Sequence, residues 1–98
     1  MNPDPKLVIT SEELKNCIDQ VVLVDVREPE EHERGHLPGC KLIPLGELFS
    51  RAEAELNKSD AIVLYCAHGI RSYRGLMILK DLGFENLKSL TGGFAAWS

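Results

Sequence analysis

Two short apolar runs, Val21-Val22-Leu23-Val24-Asp25-Val26 and Ala61-Ile62-Val63-Leu64-Tyr65, constrain this chain more than anything else in it. Each is nearly continuous, dominated by valine, isoleucine and leucine, and too short for a helix of ordinary length. A strand that is apolar at almost every position must be covered on both faces, as the central strands of parallel sheets are. Each run is followed by a polar turn and then by helical character. Repeated strand-then-helix order predicts an α/β fold, a parallel sheet with helices on both faces.

The remaining segments fit that frame. Residues 1–6, with two prolines, are expected to be an extended lead-in, and Leu7-Val8-Ile9 a short strand. Thr10-Ser11-Glu12-Glu13 matches a capping box, with Thr10 as N-cap and Glu13 three residues on. It opens a helix over 11–18 that turns Leu14, Cys17 and Ile18 inward. Pro29-Glu30-Glu31-His32-Glu33-Arg34-Gly35 reads as one or two helical turns, with proline first, acids early and glycine past the end. A strand over 40–44 and a helix over 45–56 follow. A helical run from near Ser72 carries Leu76, Leu79 and Leu82 on nearly one face and reaches Gly83, where a left-handed residue is usual. Leu87-Lys88-Ser89-Leu90 is the last strand. Phe94 and Trp97, three apart, plug the core from a terminal helix.

At 98 residues the chain is expected to be one domain spanning 1–98. A formal net charge of −4 argues against nucleic acid as the main ligand. Charge is uneven, though: residues 28–33 hold four glutamates, while 66–74 hold two arginines and no acid. The segment 66–74 therefore suits a small anion. Cys17, Cys40 and Cys66 are far apart and odd in number, which suggests no disulfide framework and a reducing, cytoplasmic setting. A periplasmic form with its leader removed is the alternative. No apolar run approaches the ~20 residues of a membrane span, so no membrane partner is expected. Metal is not expected either: His32 and His36 are four apart, but Gly35 interrupts them and no third ligand is in view. Hydrogen bonds that orient loops are the simpler role for both.

The chemistry concentrates in Cys66-Ala67-His68-Gly69-Ile70-Arg71-Ser72. A cysteine at the end of a buried strand, just before a tight turn into a helix, meets inward-pointing amides and the positive end of the helix. Such surroundings favour thiolate over thiol and hold an anion above the sulfur. Gly69 lets the backbone turn, and Arg71 offers a planar fork of donors to an oxyanion. No dedicated base suggests itself, since His68 lies within the loop. Asp25 and Arg27, at the carboxyl end of the other apolar run, reach the level of this loop. They read as an ion pair that supports neighbouring loops, with a role at the site left open for Arg27.

Three blocks together resemble the rhodanese-type sulfurtransferases. They are Asp25-Val26-Arg27-Glu28-Pro29-x-Glu31 with Gly35-His36-Leu37-Pro38-Gly39, then Cys66-x-x-Gly69-x-Arg71-Ser72, then Thr91-Gly92-Gly93-Phe94-x-x-Trp97. The resemblance implies a three-layer sandwich with a five-stranded, mainly parallel sheet. It implies that Cys66 accepts a sulfane sulfur as a persulfide and passes it to a thiophilic acceptor: cyanide, a thiol or a partner protein. Ala67, His68, Gly69, Ile70 and Ser72 would contribute the loop that binds the substrate, and Arg71 would bind an anionic donor such as thiosulfate. A donor or acceptor protein is equally compatible, and no cofactor is called for. Cys40 stands where the family more often has alanine, which leaves open packing or a resolving thiol. The chain also closes soon after Trp97, consistent with a shortened last helix or a domain taken from a longer protein.

Two rivals share parts of this pattern. Cysteine phosphatases and arsenate reductases space nucleophile and arginine as Cys-x5-Arg, whereas Cys66 and Arg71 enclose four residues. The tighter ring of amides fits a single sulfur better than a tetrahedral oxyanion. A non-catalytic docking module is the other rival, but such modules commonly lack the loop cysteine.

Overall fold

The computed structural model describes residues 4–97. The two apolar runs form β2 (Val22–Asp25) and β4 (Ile62–Tyr65), adjacent and parallel, with Val22 opposite Ile62 and Asp25 opposite Tyr65. β5 (Leu87–Leu90) pairs on the far side of β4, and β1 (Val8–Ile9) closes that edge. β3 (Lys41–Leu42) closes the other edge beside β2. The order β1-β5-β4-β2-β3 is parallel at every pairing, so the expected mainly parallel sheet is wholly so.

Among the described residues five α-helices follow the strands: α1 (Ser11–Cys17), α2 (Pro29–Arg34), α3 (Leu45–Glu55), α4 (Ile70–Asp81) and α5 (Gly93–Ala96). Side chains alternate across the sheet and divide the core in two. Ile62, Leu64 and Cys66 join Leu48 and Ala52 of α3 and Leu76 and Leu79 of α4 on one face. Val63 and Tyr65 join Leu14 of α1 and Leu37 on the other, with Phe94 of α5 and Trp97 packed against them. Truncating one of the fully buried leucines, such as Leu64 or Leu76, to alanine would cost ~2–5 kcal/mol.

The α1 capping box forms as expected, with the Glu13 amide donating to Thr10 Oγ1 at 3.2 Å and the Thr10 amide to Glu13 Oε1 at 2.9 Å. Gly83 takes φ +98° at the end of α4. Other expectations are revised. The part of the lead-in over 1–3 lies outside the described residues, and Pro5–Leu7 is a 3-10 turn rather than extended chain. Asp4 caps that turn by accepting the Lys6 amide at 2.9 Å. The helix over 11–18 stops at Cys17 and gives way to a 3-10 turn, Ile18–Gln20. The strand over 40–44 shrinks to two residues, because the Cys40 amide turns back to the Leu37 carbonyl and Pro44 has no N–H to offer. α4 begins at Ile70, two residues early, because Gly69 at φ +103° ends the loop sooner. No helix among the described residues is long and apolar enough to cross a membrane.

Candidate active site

Cys66 follows β4 directly, and its side chain is 1% exposed on the α3/α4 face. Its Sγ accepts the Gly69 amide at 3.1 Å and the Ser72 amide at 3.3 Å, and lies 3.5 Å from Ser72 Oγ. Ser72 Oγ is in turn 2.7 Å from Ser89 Oγ on β5 and 3.2 Å from the Gly69 carbonyl. With Cys66 as thiol, its S–H points to Ser72 and the Ser72 hydroxyl donates to Gly69. With Cys66 as thiolate, the Ser72 hydroxyl turns its hydrogen to the sulfur while Ser89 donates to Ser72. Burial alone raises the Cys66 thiol. The Ser72 hydroxyl and the amides of Ser72, Gly69 and His68 outweigh it and hold the thiol below its ordinary value. The amino end of α4 adds in the same direction.

The loop is held in this shape from outside by α5. The Phe94 amide donates to the Cys66 carbonyl at 2.8 Å and the Ala95 amide to the Ala67 carbonyl at 3.0 Å. Carbonyl and N–H of one trans peptide point in opposite directions. Pinning the Ala67 carbonyl outward therefore aims the His68 N–H toward the sulfur. Only glycine permits this approach: Gly93 has φ +61°, and a Cβ there would sit 2.5 Å from the Ala67 oxygen and against the Cys66 oxygen.

Arg71, its side chain partly exposed, is paired with a carboxylate. Its Nη1 and Nη2 form a parallel pair of hydrogen bonds to Glu31 Oε1 and Oε2 of α2, at 2.8 and 2.9 Å. The guanidinium in turn holds the Glu31 carboxyl down to about 2. The side chains of His68 and Ile70 are exposed, so within the loop these two residues offer the sulfur their backbone and not their side chains. Ile70, 72% exposed, instead borders a groove that Tyr73, Leu90 and Thr91 also line.

Asp25 and Arg27 lie across the sheet from this cradle. Asp25 shares the register of Tyr65 and faces the α1/α5 side, so neither it nor Arg27 meets Cys66. Arg27 Nε and Nη2 bind the Asp25 carboxylate at 2.9 and 2.8 Å, and Nη2 also binds the Gly35 carbonyl at 2.7 Å. The guanidinium lies 4.6 Å from the centre of the Phe94 ring. Tyr65 donates to Asp25 Oδ2 at 3.1 Å and accepts the Leu37 amide at 3.0 Å. Burial pushes Asp25 up, but its bonds from Arg27 and His32 prevail and keep it below the usual carboxylate range. His32 Nδ1 meets Asp25 Oδ2 at 3.0 Å, and His36 Nδ1 meets the His32 carbonyl at 2.9 Å. Cys40 lies on this face as well, its Sγ 3.3 Å from Tyr65 Oη, which places it away from Cys66.

Three contributors escaped the sequence reading of the site: Glu31, Ser89 and Gly93. Each carried a faint signal. Glu31 and Gly93 stand inside motif blocks, and Ser89 is a polar residue at a strand position that the apolar pattern makes inward.

A family model for the rhodanese-like domain matches residues 10–98. The chain is 37% identical over 89 residues to the uncharacterized protein YqhL of Bacillus subtilis, covering 91% of this chain and 70% of that one. It is 32% identical to the thiosulfate sulfurtransferase GlpE of Pseudoalteromonas translucida, covering 81% and 74%. Other relatives are longer, and the chain spans 50% of one and 24% of another. Among solved structures, a rhodanese-related protein of Thermoplasma volcanium superposes with a TM-score of 0.87 at 31% identity, covering 93% of this chain and 89% of that one. The chain belongs to the rhodanese-like domain family.

Proposed function

We propose that this domain is a sulfurtransferase that carries sulfane sulfur on Cys66. The observation that supports it best is the Cys66 sulfur itself, buried and yet surrounded by donors: the Gly69 and Ser72 amides and the Ser72 hydroxyl. In the first step the Cys66 thiolate attacks the outer sulfur of a donor such as thiosulfate. A new S–S bond forms at Cys66, the donor's S–S bond breaks, and sulfite leaves with the electron pair. In the second step a nucleophilic acceptor takes the outer sulfur and the thiolate returns. Both steps place negative charge within the ring of amides, which stabilises it without any proton transfer.

Glu31 takes the Nη1/Nη2 edge of the partly exposed Arg71 guanidinium. Charge neutralisation of the donor is therefore shared between the loop amides, the helix terminus and the rest of that guanidinium, which also holds the loop against α2. The exposed groove beside Ile70 leaves space for a small acceptor or for a segment of an acceptor protein.

Intact-protein mass after incubation with thiosulfate tests the reading, with Cys66→Ala alongside. Gain of one sulfur by the parent, absent from the variant and removed by cyanide, is expected. Gain that survives in Cys66→Ala would assign the carrier role elsewhere. No gain with thiosulfate or with a protein persulfide would favour a docking role or a phosphatase, which an aryl phosphate assay separates.

A further inference from the structure

We propose that His32, His36 and Cys40 form a binding site for a thiophilic transition-metal cation of the zinc class, across the sheet from Cys66. From the sequence no third ligand stood near the two histidines. The fold supplies one: the turn after His36 brings Cys40 back, so that one ring nitrogen of each histidine and Cys40 Sγ lie within 4.8 Å of one another.

The hydrogen bonds around the cluster prepare both imidazoles as ligands. His32 Nδ1 faces the Asp25 carboxylate at 3.0 Å, and an ionised carboxylate only accepts, so this nitrogen carries the hydrogen. His36 Nδ1 faces the His32 carbonyl at 2.9 Å and carries its hydrogen for the same reason. In each neutral ring the lone pair is therefore on Nε2. A carboxylate or carbonyl behind the imidazole is the arrangement that orients metal-bound histidines and raises their basicity. Asp25 is itself held by Arg27 and Tyr65, so the support behind His32 is rigid.

Cys40 is the third donor. Tyr65 Oη gives its own hydrogen to Asp25 and accepts from the Leu37 amide, so the contact to Cys40 at 3.3 Å has the thiol as donor. On binding, the Cys40 S–H bond breaks, the proton passes to solvent, and the sulfur's electron pair goes to the cation. No oxidant or reductant is needed. Two imidazoles and a thiolate suit zinc and its neighbours and do not suit calcium or magnesium, which need oxygen ligands. His36 is exposed while His32 and Cys40 are half-buried, which gives the ion a path in and leaves its fourth position to water.

The two rings are stacked, 3.8 Å between centroids and 5° from parallel, so lone pairs that lie in those two parallel planes do not converge on one point. A cation that draws on both must tilt one ring out of the stack. His36 is the ring that moves: it is at the surface with one hydrogen bond, while His32 is anchored by Asp25.

The test is a titration of the full chain, kept reduced, with cobalt(II), in a Cys66→Ser background that removes the catalytic thiol. One equivalent is expected to bind with a thiolate-to-cobalt charge-transfer band and the visible bands of tetrahedral cobalt, and zinc is expected to displace it. Cys40→Ala is expected to lose the charge-transfer band. His36→Ala is expected to weaken binding by at least about tenfold, since even residues behind metal ligands change affinity by 10- to 100-fold. Unchanged circular dichroism and urea unfolding in both variants would tie the loss to the ligands. Absence of any thiolate band at millimolar cobalt overturns the proposal. So does a band that persists in Cys40→Ala, which would place the metal at Cys17.

Discussion

Gly93→Ala is the sharpest probe of how the cradle is held. An alanine Cβ would sit 2.5 Å from the Ala67 oxygen and 2.6 Å from its carbonyl carbon, so α5 must back away from the loop. Two hydrogen bonds are then lost, Phe94 to Cys66 and Ala95 to Ala67. At ~1 kcal/mol each they amount to ~2 kcal/mol. The backbone at φ +61° adds ~1–2 kcal/mol for a residue with a Cβ. The expected loss is ~3–4 kcal/mol against a typical stability of ~5–15 kcal/mol, so the variant still folds at 25 °C. Urea unfolding with an unchanged slope measures it. Gly39→Ala is the control: its φ is +75°, but nothing lies within 4 Å of the added carbon, so only the backbone cost of ~1–2 kcal/mol remains. The chemical consequence follows from the peptide geometry. Once the Ala67 carbonyl is unpinned, the His68 amide no longer faces the sulfur, and the pH midpoint of Cys66 alkylation rises toward the free value of about 8.5. Equal stability losses in the two variants, or an unmoved alkylation midpoint in Gly93→Ala, would refute the clamp.

Further predictions concern the groups around it. In the parent, the rate of Cys66 alkylation with pH should show a midpoint below about 8.5, and Ser72→Ala should raise it, because the Ser72 hydroxyl is the foremost group favouring thiolate. Since the folded thiol is lowered, its contribution to stability is absent in acid and grows as pH rises through the folded value; Cys66→Ala should flatten that rise. Glu31→Gln should destabilise by ~1 kcal/mol or less at neutral pH, because the pair with Arg71 is partly exposed. The Glu31 carboxyl is depressed to about 2, so that contribution is full above the ordinary range near 4.3 and disappears as pH falls through about 2. Parent and variant should converge there in urea unfolding. Tyr65→Phe leaves the buried Leu37 amide without its acceptor and should cost ~1–3 kcal/mol, with the persulfide yield little changed because Tyr65 faces away from Cys66.

Much of the fold can be read locally. The apolar runs of β2 and β4, the capping box of α1, the proline and acids of α2 and the glycine after α4 are each decided by neighbours within a few residues. The misread stretches are those where a side chain or an absent donor intervened: Asp4 capped a turn in the lead-in, and Pro44 cut β3 short. The site divides in the same way. Cys66, Gly69 and Ser72 are neighbours along the chain, and their convergence on one sulfur follows from a strand, a tight turn and a helix in succession. The pairing of Arg71 with Glu31 joins residues 40 apart in the chain, so no local pattern around Arg71 shows it. The pairing of Ser72 with Ser89 spans 17 residues and depends on the register of β5.

By itself, then, the sequence determined the alternation of strand and helix, the parallel sheet, and a cysteine in a ring of amides, because hydrophobic period and turn chemistry act over short stretches. Tertiary structure alone decided which face each end-of-strand residue serves. One step along β4 separates Tyr65 from Cys66, and the pleat sends them to opposite sides. Asp25, Arg27 and Cys40 therefore gather around Tyr65 with the two histidines, while the sulfur of Cys66 turns to the α3/α4 face and is bonded by Ser72 of α4 and by the loop that α5 holds in place.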